Sequence, residues 1–491
     1  MNVSGNQEAD VIVIGGGPGG STLATLVTMA GHNVVLLEKE KFPRYQIGES
    51  LLPSTVHGVC RLTGVADELA KAGFIKKRGG TQRWGANPEP WTFAFSVSPK
   101  MTGETSHAYQ VERSKFDQIL LNHARHTGVD VREQHAVSDV IDDGDRICGV
   151  TYTDADGNKG TIHAKYVVDA SGNKSRIYRR TGAIRQYSEF FRSLALFGYY
   201  EGGKRLPPPN SGNILSCAFD SGWFWYIPLS SKLTSVGAVV RHELASKIQG
   251  DPEQALTSLI AECPMISDYL RDAKRVTEGQ YGELRVRKDY SYANTKFWRP
   301  GMVLVGDSAC FIDPVFSSGV HLATYGALLA ARSINSIFAG TIDEETAFGE
   351  FEQRYRREYS VFYEFLVSFY DVHEAEGSYF WSAKKVTDST ASDLESFVSL
   401  VGGVSSGEAA LATRYKSGAT EFAAAVDQLV ANKEQSMVPL MKSSIVKHAM
   451  QEGAKEQARV LLGEDAGLLE TPLFQGGLIA SPDGLSWSPP A

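Results

Sequence analysis

The sequence predicts an α/β fold in which a Rossmann-like dinucleotide-binding domain is interrupted by an antiparallel sheet and followed by a mostly helical region. Three observations support this prediction: an apolar run that breaks into glycines between 11 and 21, a group of short strand-like segments between 194 and 241, and aromatic residues at helical spacing after Gly340. The length of 491 residues is sufficient for two or three packed units.

Composition and charge exclude several classes of protein. The chain is 42% hydrophobic and 22% charged, and its net charge of -8 with no long basic run argues against a nucleic-acid partner. The five cysteines are odd in number and widely spaced, with no Cys-x-x-Cys pair, so we expect a reduced, cytoplasmic compartment and no bound metal. No apolar segment has the uninterrupted length of a membrane span.

The first apolar run has the pattern of a strand, a tight turn and the start of a helix. Gly15 permits the turn, Gly17 lets the backbone approach a pyrophosphate, and Gly20 allows the helix and the strand to pack closely. The free N–H groups at the helix N-terminus face the phosphates. The residues of this turn assigned to cofactor binding are Gly15, Gly17, Pro18, Gly19, Gly20 and Ser21.

A second predicted strand, from Val34 to Leu37, ends at Glu38. This is the spacing at which an acidic residue accepts hydrogen bonds from a ribose 2′-hydroxyl. The following loop contains Arg44 and the run Gly48-Glu49-Ser50. From its composition alone, we would interpret this loop as an ordinary surface connection between two elements. The strand, the turn, the helix and the acid together predict a dinucleotide site.

These residues resemble the opening of the flavin-dependent halogenases, which are relatives of the FAD-dependent aromatic hydroxylases. The resemblance implies an FAD-binding domain of the aromatic-hydroxylase type, in which Glu38 holds the adenosine ribose and Arg44 helps to hold the flavin. It also implies that Asp307 accepts hydrogen bonds from the ribityl hydroxyls. The further cofactor contacts that it implies are Ser50, Arg113, Val137, Asp169, Pro314, Gly319 and Val320.

A cationic stretch from Phe74 to Gly85 contains the candidate catalytic residue. Solvated charges are the ordinary explanation for such a stretch, because lysines are mostly exposed. A lysine in a partly apolar pocket, however, changes its pKa readily and can point a donor at an oxidant. In the halogenases the essential lysine follows an aromatic or aliphatic residue and lies eight positions before a tryptophan, so the resemblance selects Lys76 over Lys77.

Four aromatic residues follow one another in a predicted strand, Trp223-Phe224-Trp225-Tyr226. Because side chains alternate between the two faces of a strand, the two indoles share one face. Packing in a core would also explain four aromatic residues. The pattern Trp-x-Trp-x-Ile-Pro nevertheless resembles the halogenases and not the hydroxylases, which implies that Trp223 and Trp225 separate the flavin from the substrate.

A predicted anion site lies where the segment from Asp313 to His321 enters a helix, because the N–H groups of a helix N-terminus attract anions. The resemblance implies chloride on the backbone of Ser318 and Gly319. Phe316 stands where tryptophan halogenases carry a glutamate, as in the phenol and pyrrole branch (variant B), which includes the chondrochloren-type enzymes. We interpret His321 as a packing or capping residue.

The predicted organisation follows from these motifs. The aromatic residues from Phe348 to Phe369 predict a helix with a buried stripe, and a Gly/Ser/Pro-rich tail begins at Phe474. We expect the FAD-binding domain in three parts, 1–75, 111–180 and 286–340. Residues 76–110 form the segment with the catalytic lysine, 181–285 form the antiparallel-sheet substrate-side domain, and 341–491 form the mostly helical C-terminal region.

The resemblance implies an enzyme of natural-product (antibiotic) biosynthesis that uses reduced FAD, O2 and chloride to form hypochlorous acid. Lys76 activates this oxidant, which chlorinates an electron-rich phenol or pyrrole, tethered to a carrier protein. A partner flavin reductase is expected, because no separate NAD(P)H site is evident. Two alternatives stay open, an FAD-dependent aromatic monooxygenase and a non-catalytic flavin-binding scaffold for carrier proteins.

Overall fold

A computed structural model describes residues 7–101, 103–371, 376–387, 389, 391–408, 410–411 and 472–490. The strands are β1 (Gln7–Ile14), β2 (Val34–Glu38), β3 (Ile75–Lys77), β4 (Gly79–Arg83), β5 (Trp91–Ala94), β6 (Ala108–Gln110), β7 (Asp130–Glu133), β8 (Ala136–Asp142), β9 (Ile147–Thr153), β10 (Lys159–Asp169), β11 (Arg185–Glu201), β12 (Ile214–Phe219), β13 (Gly222–Pro228), β14 (Leu233–Arg241), β15 (Lys274–Arg275), β16 (Arg285–Asn294), β17 (Trp298–Arg299), β18 (Met302–Leu304), β19 (Cys310–Phe311), β20 (Ile479–Ala480) and β21 (Trp487–Ser488).

The α-helices are α1 (Pro18–Met29), α2 (Cys60–Leu62), α3 (Ala66–Lys71), α4 (Arg113–Thr127), α5 (Pro252–Ala261), α6 (Pro264–Tyr269), α7 (Ser318–Phe338), α8 (Glu344–Phe369), α9 (Glu376–Thr387) and α10 (Asp393–Val401). A π-helical turn, Ser54–Val59, runs directly into α2. Within the described ranges, no helix is both long enough and apolar enough to cross a lipid bilayer.

The first sheet has eight strands and a parallel centre, in the order β18-β10-β1-β2-β7. Strands β9 and β8 continue it antiparallel from β10, and β17 pairs antiparallel with β18. The run from Val11 to Ile14 is buried throughout, as expected for a parallel strand that is covered on both faces. This arrangement confirms the predicted Rossmann-like domain.

Helix α1 connects β1 to β2, and every residue from Pro18 to Val27 is buried. It lies against α4 and the long apolar helix α7. Helix α4 ends at Gly128, which has a φ of +113° and so adopts the left-handed conformation that closes many helices. The N-termini of α1 and α7 therefore belong to neighbouring, closely packed helices.

The second sheet has nine strands, in the order β19-β16-β11-β14-β13-β12-β4-β5, with β15 paired to β11. It is antiparallel, as predicted, except where β12 runs parallel to β4. The sheet extends beyond the predicted range 181–285, because β4, β5, β19 and all of β16 except Arg285 come from outside it. The sequence prediction also began β11 at Leu194, whereas the strand begins at Arg185 and a bulge between Tyr187 and Arg192 interrupts its alternation.

Strand β13 is buried on both faces. Trp223, Trp225 and Ile227 face the main core, whereas Phe224 and Tyr226 face a second core that is closed by α5 and α6. This division confirms the predicted alternation of the four aromatic residues. One face of the second sheet is therefore available to the cavity between the sheets, and the other is used for packing.

The C-terminal part of the chain adds α8, α9 and α10. The aromatic stripe on α8 is buried, as predicted, and α10 ends at Val401, before two consecutive glycines. The tail forms a short hairpin of β20 and β21, and Trp487 donates a hydrogen bond from Nε1 to Ser333 Oγ of α7 over 3.0 Å. The helical pieces predicted between 412 and 471 lie outside the described residues.

A buried ion cluster attaches this tail to α7 and α8. Glu408 accepts two hydrogen bonds from Arg332, of 2.7 and 3.1 Å, and lies 3.6 Å from Nη1 of Arg354. Arg354 also donates to Leu478 O over 2.6 Å, and Arg332 donates to Gly484 O over 2.8 Å. The three charged side chains are almost completely buried, so each depends on its partners for compensation.

We predict that Glu408→Ala lowers the free energy of unfolding by about 3–5 kcal/mol, because it leaves two buried guanidinium groups without their shared carboxylate. Denaturant unfolding of the flavin-free protein measures this. Glu283→Ala is the matched control, since Glu283 makes a solvent-exposed ion pair with Arg285 at 3.9 Å and is expected to contribute less than about 1 kcal/mol. Equal losses in the two variants would contradict the prediction.

Candidate active site

A cavity of about 810 Å³ lies between the two sheets and joins most of the predicted site residues. The predicted residues that line it are Gly15, Gly17, Pro18, Gly19, Glu38, Arg44, Ser50, Arg113, Trp223, Trp225, Asp307, Pro314, Gly319 and Val320. Its volume falls within the usual range of ligand and cofactor sites. Side chains from residues far apart in the chain therefore surround one space.

The glycine-rich turn forms one end of the cavity. Gly15 has a φ of +102°, and a Cβ on it would lie 2.6 Å from Ala170 O. A Cβ on Gly20 would lie 1.9 Å from Gly15 O, which places Gly20 and Ser21 behind the turn and outside the cavity lining. A Cβ on Gly17 would meet only the Arg44 guanidinium, at 3.5 Å. Gly17 thus leaves an open cradle beside a cation, which fits the pyrophosphate of a dinucleotide.

Glu38 faces the same end of the cavity and is 4% exposed. Its Oε2 accepts a hydrogen bond from the Gly16 N–H over 2.7 Å, and its Oε1 accepts one from the Glu40 N–H over 2.8 Å. Each carboxylate oxygen retains a further lone pair, so the group can also accept from a ribose hydroxyl. The fixed carboxylate fits the predicted role.

Arg44 and Arg113 share the buried carboxylate of Asp117. Arg113 donates to both Asp117 oxygens, over 2.7 and 2.9 Å, and Arg44 donates to Oδ2 over 3.0 Å. The remaining terminal nitrogen of Arg113 donates to the carbonyl oxygens of Ile47 and Gly48, over 2.7 and 3.3 Å. Arg113 therefore holds the loop that forms the cavity wall, a role that the sequence did not reveal.

The other predicted cofactor contacts divide into two groups. Asp307 lines the cavity, and burial raises the pKa of its carboxyl, opposed by the charges of Arg113 and other arginines. Asp169 is fully buried at the end of β10 and outside the lining, and burial raises its pKa to about 6. Val137 lies on β8, paired with Tyr152, and is not among the lining residues. The structure therefore does not bring Asp169 or Val137 directly to the cavity.

The N-terminus of α7 also lines the cavity. Ser317 precedes the helix with a φ of +61°, an uncommon conformation for a residue other than glycine, and both Ser317 and Gly319 line the cavity. The Ser318 side chain is buried and does not line it. The first N–H groups of a helix have no intrahelical partner, so this terminus can hold an anion.

His321, interpreted from the sequence as a packing or capping residue, has two hydrogen-bond partners. Its Nδ1 is hydrogen-bonded to Ser54 Oγ over 2.9 Å and its Nε2 to Glu358 Oε1 over 2.8 Å. The three side chains are at most 1% exposed, and a Cβ on Gly403 would lie 2.2 Å from Ser54 Oγ. A substrate therefore has no room at the Ser54 hydroxyl. The hydrogen bonds that join His321 to Ser54 and Glu358 instead hold the first turn of α7 in place.

The two indoles form a wall of the cavity. Trp223 donates from Nε1 to the Tyr370 hydroxyl over 2.9 Å, and Trp225 donates to Ser235 Oγ over 3.1 Å. The Tyr370 hydroxyl donates in turn to Asp313 Oδ2 over 2.8 Å, and burial raises the pKa of Asp313 to about 6. These hydrogen bonds hold both rings in fixed orientations.

Phe316, at the position of the missing carboxylate, is 4% exposed. Its ring centroid lies 5.4 Å from that of Phe365 and 4.5 Å from that of Phe369. The aromatic stripe of α8 therefore packs against this residue. A charged group at this position would have apolar surroundings, which disfavour a charge.

The two candidate lysines lie on opposite faces of β3. Lys76 is exposed and does not line the cavity. The pKa values of His57 and His107 are lowered to about 4, mainly by burial and to a smaller extent by the charge of Lys76. Lys77 is 3% exposed, donates to Leu51 O over 3.1 Å, and has its pKa lowered to about 7 by burial. The structure thus gives Lys77, and not the predicted Lys76, the apolar environment that was expected of the catalytic lysine.

Glu49 is a cavity residue that the sequence reasoning missed. It is 2% exposed, and burial raises its pKa to about 7. The run Gly48-Glu49-Ser50 was recognised, but only Ser50 was assigned to the site, because nothing in the sequence shows that the glutamate is buried.

The parallel sheet with its glycine cradle, and the cavity closed by two tryptophans, define an FAD-binding enzyme of the halogenase and hydroxylase type. The chain belongs to the tryptophan halogenase family, whose model matches residues 10–107 and 96–451. The predicted flavin-dependent halogenase is therefore confirmed. Enzymes of this kind bind FAD and in general depend on a flavin reductase.

Individual relatives agree with this assignment. The chain is 33% identical over 444 residues to a tryptophan 2-halogenase of Chondromyces crocatus, which covers 88% of this chain and 83% of that protein. The solved structure of the myxobacterial chondrochloren halogenase CndH is 48% identical, with a TM-score of 0.75 over 98% of this chain and 100% of the other. The flavin-dependent halogenase CmlS is 34% identical, with a TM-score of 0.69 over 77% of this chain and 67% of the other.

We predict that Gly17→Ala weakens FAD binding without destabilising the fold. Gly17 has an ordinary φ of -70°, and the added methyl group meets no protein atom closer than 3.5 Å, so it fills only the space of the pyrophosphate. Fluorescence titration with FAD measures the affinity, and thermal unfolding of the flavin-free protein measures the stability.

Gly20→Ala is the matched control for this variant. Its methyl group would lie 1.9 Å from Gly15 O, so we expect a loss of thermal stability before any specific effect on affinity. Unchanged FAD affinity in Gly17→Ala would show that the cradle is not the pyrophosphate site.

Proposed function

We propose that this enzyme oxidises chloride to hypochlorous acid and chlorinates an electron-rich aromatic ring, a phenol or a pyrrole. The observation that carries the proposal is the cavity itself, in which the glycine cradle, the N-terminus of α7 and the indole wall face one space. Reduced FAD, when bound, supplies the electrons that activate O2. Hypochlorous acid then requires chloride at a site from which the substrate ring is excluded.

The residues divide this work by position. The backbone around Gly17 and the carboxylate of Glu38 hold the nucleotide, and Asp307 accepts hydrogen bonds from the ribityl chain. The N–H groups of Ser318 and Gly319 hold chloride at the helix terminus. Trp223 and Trp225, fixed by their hydrogen bonds, keep the aromatic substrate away from the flavin. This wall favours a halogenase over an aromatic monooxygenase, which needs its substrate beside the flavin.

A lysine of β3 activates the oxidant, by hydrogen bonding or as a chloramine, for transfer to the ring. Spacing selects Lys76, but the burial and the lowered pKa of Lys77 favour Lys77, because an uncharged amine can react with hypochlorous acid near neutral pH. Its Nζ donates to Leu51 O, and Leu51 follows Ser50, which lines the cavity. Lys77 is thus hydrogen-bonded to the residue that follows a cavity-lining serine, although neither Lys77 nor Lys76 lines the cavity itself.

The substrate that fits best is an aromatic acyl group presented on a carrier protein. Phe316 replaces the carboxylate that tryptophan halogenases use, and its aromatic surroundings favour an uncharged ring over a free amino acid. A phenol, which ionises near pH ~10 when unperturbed, becomes more reactive toward electrophilic chlorine as it loses its proton.

We predict that Lys77→Met lowers chlorination by about 10²-fold or more, because the oxidant then lacks its activating amine. FAD binding and release of hydrogen peroxide are expected to persist, since Lys77 acts after O2 has been activated. Methionine conserves the volume and the apolar contacts of the buried side chain.

Lys76→Met is the matched variant from the other face of the same strand. Product mass and peroxide release are measured for both proteins under the same conditions. Loss of chlorination in Lys76→Met, with Lys77→Met unaffected, would return the role to Lys76.

The substrate assay supplies FAD, O2, a flavin reductase with NADH, and either chloride or bromide. The acceptors are matched phenolic and pyrrolic acyl groups, free and as carrier-bound thioesters, together with free tryptophan. We expect a mass shift on the thioesters that requires both halide and reductase. Chlorination of tryptophan alone would refute the substrate proposal.

The same assay separates the remaining alternatives. Oxygen insertion without halide would identify a monooxygenase, and absence of any product in every arm would identify a scaffold. Reduction of the bound flavin by NADH in the absence of reductase would remove the need for a partner enzyme.

A further inference from the structure

A carboxyl group and two phenols form a hydrogen-bonded chain along the cavity wall. Tyr199 donates from its hydroxyl to Glu49 Oε1 over 2.9 Å, and the Tyr45 hydroxyl lies 2.7 Å from the Tyr199 hydroxyl. Because Tyr199 uses its proton on Glu49, Tyr45 is the donor in the second hydrogen bond. All the donors in the chain therefore point toward the carboxyl group.

The other oxygen of this carboxyl group makes no hydrogen bond within the described residues. Glu49 lines the cavity, and its Oε2 is buried with no partner at hydrogen-bond distance in that part of the chain, although the nearby Ser235 hydroxyl acts on this carboxyl group. A buried polar atom without a partner is costly, so such an atom calls for a functional explanation. A proton on Oε2 would leave the hydrogen bond from Tyr199 to Oε1 intact.

The chain runs from the interior toward the outside. Tyr199 is fully buried, whereas Tyr45 is only partly buried in the loop at the cavity mouth, where the guanidinium of Arg285 lies 3.8 Å from its ring centroid. Glu49 is thus the inner end and Tyr45 the outer end. A proton lost at the inner end can be replaced through the two hydroxyls.

The reaction under the proposed function consumes a proton. One FADH2, one O2, one chloride and one proton give FAD, one hypochlorous acid and one water. Dioxygen accepts four electrons, two from the flavin and two from chloride, and one hydrogen beyond those of FADH2 is required. A titratable group that lines the cavity is placed to deliver that proton, and Glu49 is such a group.

We infer that Glu49 is the proton donor of this cavity and that Tyr199 and Tyr45 replace the proton that it gives. Glu49 releases the proton from Oε2 and receives the hydroxyl proton of Tyr199 on Oε1. Tyr199 then takes the proton of Tyr45, which is reprotonated at the cavity mouth. Rotation of the carboxyl group returns the proton to the cavity side. The inference rests on the proposed function, because the proton is consumed only if chloride is oxidised.

The surroundings of Glu49 favour its protonated form far more than water does, so a large share of it carries a proton near neutral pH. Burial raises the pKa of Glu49 to about 7, and the charge of Glu112 adds to this increase. The Ser235 and Tyr199 hydroxyls and the charge of Arg113 act in the opposite direction and lower the pKa. A carboxylic acid with a pKa near the working pH is suited to giving and regaining a proton.

The outer phenol of the chain and one further phenol, Tyr281, also sense the charge of this carboxyl group. The charge of Glu49 contributes to the raised pKa values of Tyr45 and Tyr281, after burial in both cases. Both phenols are therefore neutral at physiological pH, and Tyr45 passes a proton only while it receives another. Tyr281 donates to Glu112 Oε2 over 2.7 Å, so it lies beside the chain without belonging to it.

The test uses Glu49→Gln, which keeps the size and the Oε1 acceptor but cannot give an acidic proton. We expect hypochlorous acid formation to fall by about 10²-fold or more, with FAD affinity unchanged. In the wild type, the rate should fall as pH rises through about 7, where Glu49 loses its proton. In Glu49→Gln, this dependence should be absent.

A second readout does not depend on turnover. Infrared difference spectra between the flavin-free wild type and Glu49→Gln should show the carbonyl stretch of a shielded carboxylic acid, titrating with a midpoint near pH 7. Tyr199→Phe should keep this band, move its midpoint upward because a donor to the carboxylate is lost, and slow turnover. Tyr281→Phe is the control and should match the wild type.

The outcomes separate the relay from the proposed function. Wild-type protein that forms no hypochlorous acid from any halide would overturn the proposed function, and the relay with it. Wild-type protein that forms it, with Glu49→Gln equally fast at all pH values or with the infrared band missing, would overturn the relay alone. Loss of FAD binding in Glu49→Gln would assign Glu49 to cofactor binding and also overturn the relay.

Discussion

The cavity depends on the buried carboxylate of Asp117. This side chain is fully buried in α4 and accepts hydrogen bonds from Arg113 and Arg44. A buried carboxylate is tolerated only when it is paired. The two oxygens of Asp117 are paired with two guanidinium groups. Arg113 in turn fixes the loop carbonyls at Ile47 and Gly48, so the positions of the cavity wall and of Glu49 follow from one ion cluster.

The same cluster prepares the cavity for an anion. Asp117 holds the Arg44 guanidinium, which also lies 3.8 Å from Glu40, beside the open space at Gly17. A pyrophosphate brought to the glycine turn therefore meets both helix N–H groups and a cation. The cofactor site combines backbone geometry from the first sheet with a charge that is held by tertiary contacts.

The second sheet contributes the apolar side of the cavity. One face of β13 presents the two indoles, while its other face packs on α5 and α6. Apolar walls exclude water and strengthen the electrostatic interactions of groups such as Glu49, Asp313 and Lys77. Burial is the main physical reason that the pKa values of these three groups move toward neutrality.

The sequence by itself determined the elements that depend on local pattern. The glycine turn, the strand that ends at Glu38 and the alternation of Trp223 to Tyr226 follow from spacing and periodicity over a few residues. The choice between Lys76 and Lys77, the burial of Glu49 and the partners of His321 were decided only by the tertiary structure. Neighbouring residues of a strand face opposite sides, and only the packing of distant elements such as Leu51, Tyr199 and Glu358 determines which side is buried.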